Sequence, residues 1–341
     1  MFRLPVSKVK CVYFPVLSQS LNVTCKSTEC HKSITSKNIM ASLQSKLRIF
    51  VGSAWTDYLQ RLRDNDTALT TLYFRGQKLR DAGGVNLANA LERNTTLTEL
   101  NIADTGLREV AGVALASALE RNTTLECLDI GVNHMGDVAV RAISNMLKRN
   151  TTLTTLNLNG TALGEFGGAN IANALESNTT LETLDLVYSG LGQAGILHIL
   201  NALDRNTTLT TLNLAYNDLG EAEGVAIADV LEMNTTLDDL NLRGNRLESV
   251  VGVAIANALE INSTLENLNL RSNRLGEIAG VAIAESLETN TTLVNLDLRQ
   301  NQIAAATHER IKRLLMYREP SQSYPFPIKA AVPGTMRPGF R

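Results

Sequence analysis

The chain has 341 residues, 44% of them hydrophobic but only 4% aromatic, so any core must be filled by Leu, Ile, Val and Ala. The formal net charge of -2 hides a segregation: residues 1–48 carry eight Lys/Arg against one acid, Glu29, and residues 305–341 carry seven against two. The body between is therefore acidic, which argues against nucleic acid as a partner, and no apolar run is long enough to predict a membrane span.

Residues 1–48 are basic and rich in Ser. Three readings stay open for them: a transit-like targeting segment, a disordered tail, or a functional start at Met40. Of the four cysteines, Cys11, Cys25 and Cys30 fall in this segment, and only Cys127 lies further on. That is no disulfide framework, and it fits a reducing compartment, so a cytoplasmic protein is expected unless the first segment directs it to an organelle. Cys25, Cys30 and His31 lack the second ligand pair that a zinc site needs. Residues 49–65 are expected to form a capping helix, with Ser53 as N-cap and Trp55, Leu59 and Leu62 at helical spacing.

Residues 66–304 repeat with a period of 28. The segment Asn-Thr-Thr-Leu begins at Asn94, Asn122, Asn150, Asn178, Asn206, Asn234 and Asn290, with Asn262 (Asn-Ser-Thr-Leu) in the same series and Asp66 as a diverged first member. That makes nine units without an insertion. Each continues Leu-x-x-Leu-x-Leu-x-x-Asn-x-Leu, as in Leu209, Leu212, Leu214, Asn217 and Leu219. The alternation predicts a short strand; Val225, Ile227, Ala228 and Leu231 then predict a helix. Gly220, Gly224 and their equivalents are expected to separate strand from helix. The Asn of Asn-Thr-Thr is expected to end the helix in a left-handed conformation. Such a unit cannot bury a core alone, so neighbours must stack. Helices are wider than strands, about 10 Å against about 4.8 Å, so the stack curves with the sheet on the concave face and the helices on the convex face. Residues 305–319 close the stack with a second capping helix, Ile311, Leu314 and Leu315 inward and Arg310, Lys312 and Arg313 outward. Residues 320–341 hold five of the seven prolines and are expected to be a disordered tail.

This strand–helix unit resembles the ribonuclease-inhibitor-like class of leucine-rich repeats, similar to those of NOD-like receptors and of the Ran GTPase-activating protein. The resemblance covers roughly residues 55–317. It implies an α/β leucine-rich-repeat solenoid, a horseshoe, and a non-catalytic scaffold that holds a protein partner. The alternatives it leaves are a GTPase activator acting on a small GTPase and, more weakly, a fragment of an innate immune receptor. No Gly-x-x-x-x-Gly-Lys-[Ser/Thr] segment occurs, and the tail is basic where Ran activators carry an acidic one. Fold does not fix function here. We expect a monomer without catalytic residue, cofactor or metal.

Candidate contact residues come from the concave columns. One column reads Tyr73, Asn101, Asp129, Asn157, Asp185, Asn213, Asn241, Asn269, Asp297; a second reads Arg75, Ala103, Gly131, Asn159, Val187, Ala215, Arg243, Arg271, Arg299. Arg243, Arg271 and Arg299 are expected to stack in line, partly neutralised by Asp239 and Asp297. Tyr188 and Tyr216 stand beside them, and Arg and Tyr are favoured at interfaces. Other motifs are better explained by the repeat. Gly190-Leu191-Gly192-Gln193-Ala194-Gly195 fits a dinucleotide fingerprint, but Gly192 occupies the place of Gly164 and Gly220. The Asn-x-[Ser/Thr] triplets in register with the period are read as structural rather than as glycan acceptors.

If stacking is between nearest neighbours, deleting residues 178–205 leaves a folded, shorter solenoid, whereas deleting half a unit sets helix against strand. Circular dichroism and thermal melting compare the two; equal damage from both would contradict the stacking.

Overall fold

The computed structural model describes residues 54–316 and Arg318. The expectations for Ser53, for the first cysteines with His31, and for the tail beyond residue 319 lie outside the described residues.

A helix α1 covers residues 54–63. Nine units follow. Their strands are β1 (Thr71–Tyr73), β2 (Glu99–Asn101), β3 (Cys127–Asp129), β4 (Thr155–Asn157), β5 (Thr183–Asp185), β6 (Thr211–Asn213), β7 (Asp239–Asn241), β8 (Asn267–Asn269) and β9 (Asn295–Asp297). They alternate with α2 (Arg80–Leu91), α3 (Glu109–Leu119), α4 (Gly136–Leu147), α5 (Gly164–Leu175), α6 (Gly192–Leu203), α7 (Glu221–Met233), α8 (Ser249–Ile261), α9 (Gly276–Ser286) and α10 (Ala305–Leu315). All strands join one parallel sheet in sequence order. Each residue pairs with the one a full period later, as Leu212 with Leu240 and Leu240 with Leu268. The fold is the leucine-rich-repeat solenoid of strand–helix units that the period implies.

The core is a single column of repeated side chains. In the sixth unit Leu209, Leu212, Leu214, Leu219, Ile227, Ala228 and Leu231 are all buried, and the same positions are filled in its neighbours. Val225 is only half-buried, at the edge of the helix face. Trp55 and Tyr58 close the first end by packing edge-on against Phe74, at 4.8 and 5.5 Å between ring centroids. Ile311 is buried at the other end, with Leu314 and Leu315 against it.

Burying a backbone between two units requires partners for its N–H and C=O groups. The Asn-Thr-Thr asparagine supplies them. Asn206 Nδ2 donates to the Leu175 carbonyl of the preceding unit at 2.9 Å, and Asn206 Oδ1 accepts the Leu209 N–H at 2.8 Å. The same pair of bonds recurs at Asn122, Asn150, Asn178, Asn234, Asn262 and Asn290. This corrects the expected left-handed role: Asn234 and Asn262 are extended, with φ of -76° and -64°. The side chain, not the backbone, is why Asn stands there. These amide nitrogens are buried and already donating, so they are not glycan acceptors in the folded chain.

A second asparagine column works on the other side of the strand in five of the nine units, at Asn133, Asn217, Asn245, Asn273 and Asn301. Asn217, Asn245, Asn273 and Asn301 donate back to Leu186, Leu214, Leu242 and Leu270. In the unit before, Asn245 Oδ1 accepts the N–H groups of Asn217 and Leu219. Ser189, where this column lacks its Asn, donates to Leu158 at 3.2 Å. The ladder ends at Arg318, one period after Asn290. Its guanidinium donates to the Leu287 and Leu293 carbonyls at 2.7 Å each, filling the place of a further asparagine.

Gly224 does not break the chain, contrary to expectation. It lies inside α7, where a Cβ would sit 2.5 Å from Val251 Cγ1, so it permits close helix packing. Gly195 serves the same end: a Cβ on Gly168 would sit 2.5 Å from the Gly195 Cα. Of the glycines of the apparent dinucleotide fingerprint, Gly195 is thus accounted for by packing, and Gly190 and Gly192 by positive φ, at 59° and 65°.

Replacing Asn206 by Ala leaves a buried N–H and a buried carbonyl without partners, a loss of about 2–4 kcal/mol. Thermal melting should show a clear drop for Asn206→Ala and little change for Thr207→Ala, whose side chain is exposed. Equal melting of the two would sink the clamp.

Candidate partner-binding face

The column from Tyr73 to Asp297 is in register across the sheet. Most of its Asn and Asp side chains are not offered to solvent. Each folds back to accept the backbone N–H two residues on, as Asp185 does from Val187 at 2.9 Å and Asn241 from Arg243 at 3.0 Å. These Asx turns steer the chain out of the strand. The recurring Asx at the third strand position was the sequence signal of this role.

The turn delivers the residue three places after this column into the left-handed region in every unit: Gly76, Asp104, Val132, Gly160, Tyr188, Tyr216, Gly244, Ser272 and Gln300 all have φ between 54° and 76°. The conformation is pinned by a bond across units, for example Tyr188 N–H to the Ala215 carbonyl at 3.2 Å and Tyr216 N–H to Arg243 at 2.8 Å. Gly tolerates this place freely and Asp to a lesser degree, and Ser272 and Gln300 there are bonded to each other. A side chain with bulk there costs about 1–2 kcal/mol, and a β-branched one is a true outlier. Val132, Tyr188 and Tyr216 accept that cost, and strain of this kind concentrates at functional sites. Sequence reasoning picked the two tyrosines as interface residues but missed Val132, because the strained backbone is invisible until the turn is built.

Tyr188 and Tyr216 stack, with centroids 5.4 Å apart and planes 23° from parallel. The Arg243 guanidinium lies over the Tyr216 ring, 5.6 Å from its centroid. Tyr216 also lies over Gly244, where a Cβ would meet its ring at 2.3 Å. Tyr188 is 65% exposed and so forms the open end of this row.

The three arginines do not stack in line, as expected, but part. Arg243 turns to Tyr216, Arg271 donates to Gln300 Oε1 at 3.1 Å, and Arg299 binds Asp297 of its own strand at 2.5 Å. Like charges in adjacent rungs repel, and each finds the nearest relief. Arg243 Nε is buried without a hydrogen-bond partner. Neither Arg243 nor Arg271 has a carboxylate ion pair among the described residues. Burial pushes the Asp297 carboxyl up, but the bonds and charge of Arg299 outweigh it and hold it below its ordinary value.

Asp239 does not neutralise the arginines. It opens β7 in a different column, where burial, with the charge of Asp238 added, pushes its carboxyl up to about 7. Asp185 is raised to about 6, first by burial and in smaller part by the charge of Asp129. Two shallow grooves of about 360 and 370 Å³ are lined by threonines with Glu126 or Glu182. They repeat a single rung pattern and gather no chemistry. Among the described residues no group of three His, Cys, Asp or Glu could hold a metal, and no helix is long and apolar enough to cross a membrane.

Residues 54–182 match the leucine-rich domain profile of tropomodulin and leiomodin, and residues 177–199, 205–228 and 262–284 match a leucine-rich-repeat profile. The chain is a leucine-rich-repeat protein. No curated protein matches it. Among solved structures, the actin-binding site 2 of leiomodin-1 is 30% identical over 36% of this chain and 70% of its own, with a TM-score of 0.34. The C-terminal domain of Caenorhabditis elegans tropomodulin is 15% identical over 44% and 89%, with a TM-score of 0.39. Human trophoblast glycoprotein is 20% identical over 70% and 72%, also at 0.39.

A carboxyl whose folded pKa exceeds the unfolded value of about 4 stabilises the fold below that value, and this contribution is lost as pH rises through the folded pKa. Asp239→Asn should therefore melt higher than the parent at pH 8 and close to it near pH 4. A gain of equal size at both pH values would contradict the buried charge.

Proposed function

We propose that this protein is a non-catalytic scaffold that holds a protein partner on the concave face of its solenoid. The reading is carried by the row Tyr188–Tyr216–Arg243. Two aromatic rings are stacked at the price of a strained backbone, and a cation behind them lacks a carboxylate. Aromatic and arginine anchors of this type carry most of the energy of protein interfaces. Arg271 extends the basic end of the row, while Asp297 and Arg299 satisfy each other at its margin. The acidic body around it orients a partner toward this patch.

A narrower reading names actin as the partner. It is favoured by the match of residues 54–182 to the tropomodulin and leiomodin profile, since the leiomodin-1 domain is itself an actin-binding site. Those residues make up the first units, whereas the tyrosine–arginine row lies in later ones, so the two readings can be separated. No observation favours activation of a small GTPase or an immune-receptor role.

The double change Arg243→Glu with Arg271→Glu reverses the charge of the patch without touching the core. Proteins captured from the native organism should lose their main member with this variant, which should melt within a few degrees of the parent. Retention of that partner by the variant would overturn the concave patch. Co-sedimentation with filamentous actin tests the narrower reading: binding that survives the double change and is lost on alteration of units one to four supports it, and no sedimentation rejects it. Acceleration of GTP hydrolysis by Ran would contradict a simple scaffold.

A further inference from the structure

We propose that the concave row reads an acidic segment with one large apolar side chain, the apolar group entering a notch over Gly160 and the acids meeting Arg243 and Arg271. The inference rests on the scaffold reading and specifies its partner.

The notch follows from the left-handed column. Val132, Gly160, Tyr188, Tyr216 and Gly244 are successive members of it, all at positive φ. Val132 is 37% exposed and Tyr188 65%. Between these two apolar side chains stands Gly160, with none. Two strand spacings put the Val132 and Tyr188 rungs about 10 Å apart. Val132 Cγ2 leans over Gly160, 3.5 Å from where a Cβ would sit, so the notch is a shallow step between Val132 and Tyr188 that one apolar group covers. The gap is bounded by a β-branched residue and a tyrosine in a conformation that glycine would hold without strain, and glycine does hold it at three other units.

The floor beside the notch carries no charge. The neighbouring column reads Ala103, Gly131, Asn159, Val187, Ala215 before it turns basic at Arg243, Arg271 and Arg299. Asn159 Nδ2 is bonded to Asn157, and Ala103 and Ala215 are buried. The nearest ionisable group is Asp185, whose Oδ1 is turned back to accept the Val187 N–H at 2.9 Å. At the basic end Arg243 has a buried Nε without a partner, and Arg271 bonds only a neutral amide. Arg299 is already matched by Asp297, and Arg246 and Arg274 by Asp218 and Glu248. Arg271 shares the field of Asp297 without a direct ion pair, and Arg243 has neither, so the positive charge left for carboxylates of a partner centres on Arg243 and extends to Arg271. Three strand spacings separate the Gly160 and Gly244 rungs, about 14 Å, which an extended chain crosses in about four residues. The stacked face of Tyr188 and Tyr216 lies between and supports that backbone.

The probe is a labelled peptide with a phenylalanine, a three-residue Gly-Ser-Gly spacer and two glutamates, titrated into the full chain by fluorescence anisotropy. The parent is expected to bind it, with at least tenfold weaker binding in Tyr188→Gly and in Arg243→Gln with Arg271→Gln, and several-fold weaker in Val132→Gly. Tyr188→Gly should melt at or above the parent, because glycine relieves the left-handed strain; Tyr188→Asn, which also tolerates that conformation, gives a second variant without the ring. A peptide with lysines in place of the glutamates should not bind. Equal binding of a peptide with the same residues in scrambled order, or unchanged binding in Tyr188→Gly and Val132→Gly, would overturn the notch. Failure of the parent to bind the probe overturns this inference alone; the scaffold reading falls only if partner capture survives reversal of the arginines.

Discussion

Everything in this molecule depends on a buried primary amide that serves two units at once. The asparagine of Asn-Thr-Thr donates to a leucine carbonyl one helix back and accepts a leucine N–H of its own strand. The leucine N–H finds its acceptor within its own unit, but the leucine carbonyl of the preceding unit has this amide of the next unit as its side-chain donor. A unit is therefore polar-incomplete until its neighbour arrives, just as its apolar face is uncovered until then. Leucine burial drives the stack together, but it is non-directional. The amide sets the register, and the register is what aligns each sheet column residue for residue.

Once the register is set, the outer columns acquire meaning. The Asx turn after each strand places one residue per unit in a left-handed conformation at the rim of the concave face. Four units fill it with Gly or Asp, which the backbone tolerates there. Where Val132, Tyr188 and Tyr216 stand instead, the fold spends stability for surface chemistry. The same regularity explains why nearby charges behave so differently: Asp297 is relieved by Arg299, while Asp239, with only Asp238 beside it, holds its proton to about pH 7.

Much of this was legible in the sequence. The period of 28, the Leu positions and the parallel order follow from repetition alone, because an exact repeat must map onto itself in space. The tyrosines and arginines could be placed on the concave face by alternation. What alternation could not show was direction. That Arg243 turns to Tyr216 and Arg271 to Gln300 depends on repulsion between rungs and on the nearest available acceptor. The role of Asn206 was hidden for a similar reason: its partner, Leu175, is 31 residues away, and a helix end in sequence looks the same whether its Asn bends the chain or bonds across it. Arg318 drew no reading from the sequence, although its place one period after Asn290 marks it as the last rung.

Native-state hydrogen exchange tests the central claim most directly. The N–H groups of Leu125, Leu153, Leu181, Leu209, Leu237 and Leu265 each bond to a ladder asparagine. If these bonds hold the units together, the six amides should exchange only through cooperative opening of the stack, with one shared free energy and denaturant dependence. Exchange of these amides by independent local fluctuations, while the neighbouring strand amides stay protected, would contradict it.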